Sequence, residues 1–112
     1  MKYIFNSAVI TSPGWYHYRL IDTDQAQTWL QSKSFESCIG YEETATALEQ
    51  LTDIHIPVNR RIAVMDIGDE ALIFRLVLPP GSPRIAPGDK GSLTPQFIID
   101  HCEIGILTRQ PD

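Results

Sequence analysis

The chain has 112 residues, 43% hydrophobic and 21% charged, with a formal net charge of −5 at pH 7. That length holds one domain with a modest core, and the composition is that of a folded globular protein rather than a disordered one. The negative balance argues against coating DNA, because broad phosphate-backbone binding rests on many Lys and Arg contacts and the counterions they release. It leaves room for a small anion held by backbone N–H groups at a helix amino terminus. No apolar run approaches the roughly 20 residues that span a bilayer, and MKYIFNSAVITS has neither a basic leader nor a cleavage site. The expectation is a cytoplasmic protein with no membrane partner. Cys38 and Cys102 lack CxxC spacing and are too few to staple a secreted fold, so both are expected as reduced, small core residues.

Lys2 to Ile10 is rich in strand-favouring residues and ends at the turn signal Ser12-Pro13-Gly14. Trp15 to Ile21 reads as a second extended segment, an edge strand or the far arm of a hairpin. Asp22 or Thr23 then caps a helix to about Ser32, with Ala26, Trp29 and Leu30 at helical spacing. Phe35 to Ile39 is a short strand that turns at Gly40 into the best-marked helix of the chain. That helix aligns Ala45, Leu48 and Leu51, with Ala47 close by, and places Glu42 and Glu43 in its first turn, where they suit the dipole. Pro57 stops any continuation.

Two apolar runs follow, Ile62 to Met65 and Ala71 to Leu78, joined by DIGDE. Apolar residues at successive positions imply burial on both faces, so both are expected as central strands. Residues 79 to 95 hold five prolines and three glycines and read as a long loop. Cys102 to Leu107 returns as a last strand. The interleaving predicts one α/β domain over residues 1–112, a mixed sheet of about five strands with helices packed on it. Its exposed edges favour pairing with a second copy, hence a homodimer.

His17, His55 and His101 show no HxxxH or HExxH spacing, and His101 and Cys102, as strand neighbours, would point to opposite faces. Neither a metal nor a cofactor is expected. Arg75, the only charge inside ALIFRLVL, has two readings. One is an edge position from which its stem reaches water; the other is a central strand projecting a guanidinium fork into a phosphate cleft. The turn Gly40-Tyr41-Glu42-Glu43-Thr44 is equally two-sided, ordinary punctuation or a helix terminus presenting N–H groups to phosphate.

FNSAVIT near the start, SCIGYEETATALEQLTDIHIPVNRR, GDEALIFRL and EIGILTR resemble the viral and bacterial ring nucleases that act against type III CRISPR signalling. The resemblance covers about residues 3–78 and 102–109. It implies a two-fold dimer of a small mixed α/β fold that binds cyclic tetra-adenylate across its interface and cuts it without metal. A cyclic tetranucleotide has its own two-fold axis, so a two-fold dimer offers the same residues to both halves. In such a cut the ribose 2′-hydroxyl attacks the adjacent phosphate and a positioned acid protonates the leaving 5′-oxygen.

By the same resemblance, Asn6 and Ser7 line the ligand, and Gly40, Glu43 and Thr44 form the turn and helix start. The family's general acid is a His directly after the turn glycine; this chain has Tyr41 there. A tyrosine ordinarily titrates near pH 10 against about 6.5 for histidine, and loss of a positioned acid typically costs roughly 10² to 10⁴ in rate. The family's Arg-Leu-Pro-Glu-Gly turn is replaced by VLPPG, with Val77 and Pro80 at the Arg and Glu positions, which leaves Arg75 as a displaced equivalent. Two functions are therefore expected in competition: slow cleavage of a cyclic oligoadenylate through Tyr41 and Arg75, or a degenerate nucleotide-binding sponge or protein-interaction module.

Overall fold

The computed structural model describes residues 1–6, 12–32, 34–77 and 94–111. Their elements run β1 (Lys2–Phe5), β2 (Trp15–Leu20), α1 (Thr23–Ser32), β3 (Glu36–Ser37), α2 (Glu42–Thr52), β4 (Glu70–Leu76), α3 (Pro95–Asp100) and β5 (Cys102–Gln110). The five strands form one mixed sheet in the order β2-β5-β4-β1-β3. β1 is parallel to both β3 and β4, while β5 is antiparallel to both β4 and β2. Ser7 and most of the expected 79–95 loop lie outside the described residues.

Register and pleat separate two cores. Ile4, Leu72, Ile106, Phe74 and Ile104 face the helices and pack with Trp29, Leu30, Ala45, Leu48 and Ile98. Leu72 and Phe74 are wholly buried, each side chain contributing about 1.5–3 kcal/mol by its removal from water. Tyr3, Ala71, Ile73 and Leu107 point to the opposite face, where they meet Cys38, Ala63 and Met65. The alternation within β4, Ala71 and Ile73 one way and Leu72 and Phe74 the other, produces the unbroken apolar run seen in the sequence.

The helix ends follow local chemistry. Asp22 Oδ1 accepts from Gln25 N (2.8 Å) and Gln25 Oε1 accepts from Asp22 N (3.0 Å), a reciprocal cap that starts α1. α2 ends on Asp53, which adopts a left-handed backbone (φ 60) and donates its N–H to Glu49 O.

The structure corrects one expectation, decides between the two readings of Arg75 and adds one helix. Residues 62–65 are not a strand of the sheet: Ala63 and Met65 are buried, but Ile62 is 83% and Val64 55% exposed. They belong to an extended strap crossing the face of the sheet opposite the helices, so only one side of the segment is covered. Arg75 lies on the central strand β4 and not at an edge. Finally, α3 was not foreseen; its signal is Thr94-Pro95, with Thr94 Oγ1 accepting from Phe97 N (3.1 Å) and Pro95 in the first turn, hidden at the end of a breaker-rich segment.

Candidate ligand site at the amino end of α2

The parallel strands β1, β3 and β4 all end on the same side of the sheet, the position at which open α/β sheets commonly hold ligands. Asn6 follows β1 there, half-buried, and Gly40 follows β3. β3 is held against β1 by Cys38 N donating to Ile4 O at 2.8 Å.

Tyr41 occupies the N-cap of α2 with extended backbone (φ −126, ψ 131), and its carbonyl takes the first helical bond, from Ala45 N at 3.1 Å. The Tyr41 side chain makes no capping hydrogen bond to this terminus. The leading N–H groups of α2 have no intrahelical acceptor and stand at the positive end of the helix dipole, an arrangement that suits an anion. Glu42 and Glu43 stand in the same turn and oppose an anion, whereas Thr44 adds a half-buried hydroxyl-bearing side chain.

The cation at this terminus comes from a residue to which the sequence reading assigned no role. Arg60 places its guanidinium carbon 5.1 Å from the centre of the Tyr41 ring. Its stem covers Gly40: a Cβ there would meet Arg60 Nε at 3.1 Å and Arg60 Cβ and Cγ at 3.3 Å. Glycine at position 40 thus lets the arginine lie flat beside the turn.

The segment before it acts as a clasp along the outer edge of β3. Asn59 N donates to Ile39 O (2.8 Å), Asn59 Nδ2 to Ser37 O (2.9 Å), and Ser37 Oγ to Pro57 O (2.6 Å). Arg61 continues the clasp by pairing with Glu36. The available signal for Asn59 and Arg60 was the IPVNR block, whose polar residues have partners about 20 positions away.

Arg75 is placed elsewhere. From β4 it leans across the face opposite the helices towards β5, where Glu103 Oε1 accepts from its Nε (2.9 Å) and lies 2.8 Å from Nη2. Tyr18, reaching over from β2, donates its hydroxyl to the same carboxylate oxygen at 3.0 Å. Burial first, and then the hydrogen bond and charge of Glu103, raise the Tyr18 pKa. The Tyr18 ring rests on Gly105, where a Cβ would fall 2.4–2.5 Å from ring and hydroxyl atoms. Among the described residues no contact joins Arg75 to Tyr41. Gly40 and Tyr41 are thus brought together with Arg60, just ahead of Glu43 and Thr44 in the first turn of α2, while the Arg75 charge is balanced on β5.

Among the described residues no three His, Cys, Asp or Glu side chains are grouped to hold a metal ion. Cys38 and Cys102 are both free, and burial raises both thiol pKa values. His101 stacks on Phe97 (4.3 Å between ring centres), with Nδ1 2.9 Å from Phe97 O, a contact internal to α3 and its cap. No helix among the described residues is long and apolar enough to cross a membrane.

The STIV B116-like family matches residues 2–79, well over half of the chain. The chain belongs to the STIV B116-like family. Its relatives include uncharacterized protein 26 of Sulfolobus islandicus filamentous virus, 36% identical over 76 residues, which are 64% of each chain. Another is uncharacterized protein YddF of Bacillus subtilis, 40% identical over 58 residues, 50% of this chain and 54% of YddF. This B116-like chain therefore matches less than two thirds of the length of either relative. Among solved structures, B116 of Sulfolobus turreted icosahedral virus superposes with a TM-score of 0.71 over 96% of this chain and 98% of its own, at 19% identity. At that identity the likeness establishes the fold: a single small α/β domain with a five-stranded mixed sheet.

Proposed function

We propose that this B116-like protein is a homodimer that binds a cyclic oligoadenylate, with cyclic tetra-adenylate the first candidate, and that it damps type III CRISPR signalling by sequestering the ring and at most cutting it slowly. The observation that carries the reading is the amino end of α2, uncapped by the Tyr41 side chain, with Arg60 laid on Tyr41 beside Gly40. Helix N–H groups and a guanidinium suit a phosphate, and an exposed aromatic ring suits a nucleobase, which stacks for about 1–3 kcal/mol. Because the ring and the dimer share two-fold symmetry, the two α2 termini would serve equivalent phosphates.

Cleavage, where it occurs, has the ribose 2′-oxygen form a bond to phosphorus while the bond to the 5′-oxygen breaks, leaving a 2′,3′-cyclic phosphate. The proton lost by the 2′-hydroxyl goes to solvent, and the departing 5′-oxygen takes one from the Tyr41 hydroxyl or from water. Sequestration is favoured by the Arg75–Glu103 pair, since an arginine already matched to a carboxylate is a weaker phosphate partner than a free one.

The test is a single-turnover incubation of excess protein with cyclic tetra-adenylate in the presence of chelator, with titration calorimetry alongside. Binding with the ring left intact over hours supports sequestration. Linear di-adenylate ending in a 2′,3′-cyclic phosphate adds cleavage. Absence of binding to rings of four and six adenylates rejects the proposal.

A further inference from the structure

The two edges of the sheet are treated differently. β3, two residues long, is guarded: Asn59 bonds to Ile39 and Ser37 along its outer side, and Arg61 pairs with Glu36. β2 closes the opposite edge with six residues, WYHYRL, and carries none of the devices that blunt an edge. It has no lysine and no proline, and its register with β5 runs unbroken from Trp15 to Leu20. Trp15 is 72% and Leu20 63% exposed. Ile21 N donates to Ile104 O at 3.0 Å, which fixes the alternation: His17 and Arg19 turn their backbone groups to β5, whereas Tyr16, Tyr18 and Leu20 turn theirs outward. Among the described residues no backbone bond uses that outer side.

The side chains specify what this edge accepts. Arg19 pairs with Ile106 and so lies on the helix side of the sheet, at a hollow of about 440 Å³ between β2 and α1 whose walls include Ile21, Asp24, Gln25, Trp29 and Ile106. Neither Asp24 nor any other carboxylate among the described residues forms an ion pair with Arg19, which leaves the guanidinium to a carboxylate from outside. Tyr16, Tyr18 and Leu20, paired with Arg109, Leu107 and Gly105, face the other way and offer aromatic and apolar surface. A strand laid antiparallel on β2 exchanges main-chain bonds with Tyr18 and Leu20, and its residue opposite Arg19 falls in the intervening pair, where side chains approach most closely. We propose that β2 is the acceptor edge for an extended segment of a partner protein, added antiparallel, whose residues run apolar, acidic, apolar, with the apolar residues beside Tyr18 and Leu20 and the carboxylate on Arg19. Main-chain bonds supply the affinity and the alternate side chains the selectivity. β2 contains no acid, so the β2 of a second copy lacks the carboxylate that Arg19 calls for. The edge lies across the sheet from Gly40 and Tyr41, which follow β3, and is separate from the nucleotide site.

Magnetic-resonance titration and amide exchange on the isotope-labelled full chain test it, without nucleotide. The probes are the end-capped peptide Thr-Thr-Val-Glu-Val-Thr-Thr, its counterpart with lysine in place of glutamate, and a form N-methylated at both valines. The glutamate peptide should bind, slow exchange of the Tyr18 and Leu20 amides, and bind about fivefold or more tighter than the lysine peptide, the difference between an attractive and a repulsive cross-strand pair. Arg19→Glu, at an exposed site, should reverse that preference with an unchanged circular dichroism spectrum. N-methylation removes the donors that meet the Tyr18 and Leu20 carbonyls and should abolish binding to wild type, a result independent of whether Arg19→Glu folds. Absence of binding at millimolar peptide, or binding that leaves the Tyr18 and Leu20 amides unprotected, overturns the site. Equal affinity for the two charged peptides overturns the acidic partner. Outer amides protected in the chain alone, and more so as its concentration rises, make the occupant a second copy and overturn the proposal.

Discussion

Replacing Gly105 by Ala probes the face that holds Arg75. The new Cβ would sit 2.4–2.5 Å from Tyr18 ring and hydroxyl atoms, far inside contact distance, so the ring must move off β5. Overpacking of this kind costs about 1–3 kcal/mol. Displacing the ring also breaks the 3.0 Å hydrogen bond to Glu103, worth about 1.5–3 kcal/mol for a charged acceptor when well shielded and less here, since Tyr18 is 36% exposed. Ala in place of Gly in a strand returns about 0.5–1 kcal/mol. A net loss of about 1–2 kcal/mol is expected, read from the urea midpoint at unchanged slope. The decisive comparison is the same change in a Tyr18→Ala background, where the clash is gone and Gly105→Ala should be neutral or mildly stabilising. An equal loss in both backgrounds would refute the reasoning, because the cost would then not pass through the ring.

Arg60→Ala, at an exposed site, should leave the melting temperature within about 2 °C. It should weaken cyclic tetra-adenylate binding about 10- to 150-fold, the loss of a charge-assisted contact of about 1.5–3 kcal/mol, measured by calorimetry. Asp22→Ala removes the reciprocal cap of α1 and should cost about 1 kcal/mol in chemical unfolding, whereas Asp22→Asn should retain most of it. The Glu49 carboxylate accepts from Ile56 N at 2.9 Å and from His55, and these bonds hold its pKa below the usual 4.5. A depressed carboxyl pKa stabilises the fold above the unfolded value and loses that contribution as pH falls through the folded one. Melting temperature should therefore decline on acidification below about pH 4.5, more steeply in wild type than in Glu49→Gln. The Tyr18 phenol is the opposite case: its raised pKa leaves stability intact below about pH 10 and lost above it, a decline that Tyr18→Phe should reduce in an alkaline titration.

What could be read along the chain is what neighbours in sequence decide. Asp22 and Gln25 cap one another three residues apart, Ala45 and Leu48 define one side of a helix, and β4 announces itself as a central strand by its unbroken apolar run. A mixed α/β sheet followed from the same local periodicities. The placement of charge and the use of faces did not, because they depend on partners distant in sequence. Arg75 was open to two readings until the antiparallel register of β4 and β5 set Glu103 beside it, and Tyr18 reaches that carboxylate from 85 positions away. Arg60 arrives at Tyr41 only because Asn59 clasps the edge of β3. The run at residues 62–65 shows the same limit from the other side. A pattern with two apolar faces states that both seek cover, but tertiary structure decides that the sheet covers one and leaves the other, with Ile62 and Val64, facing outward.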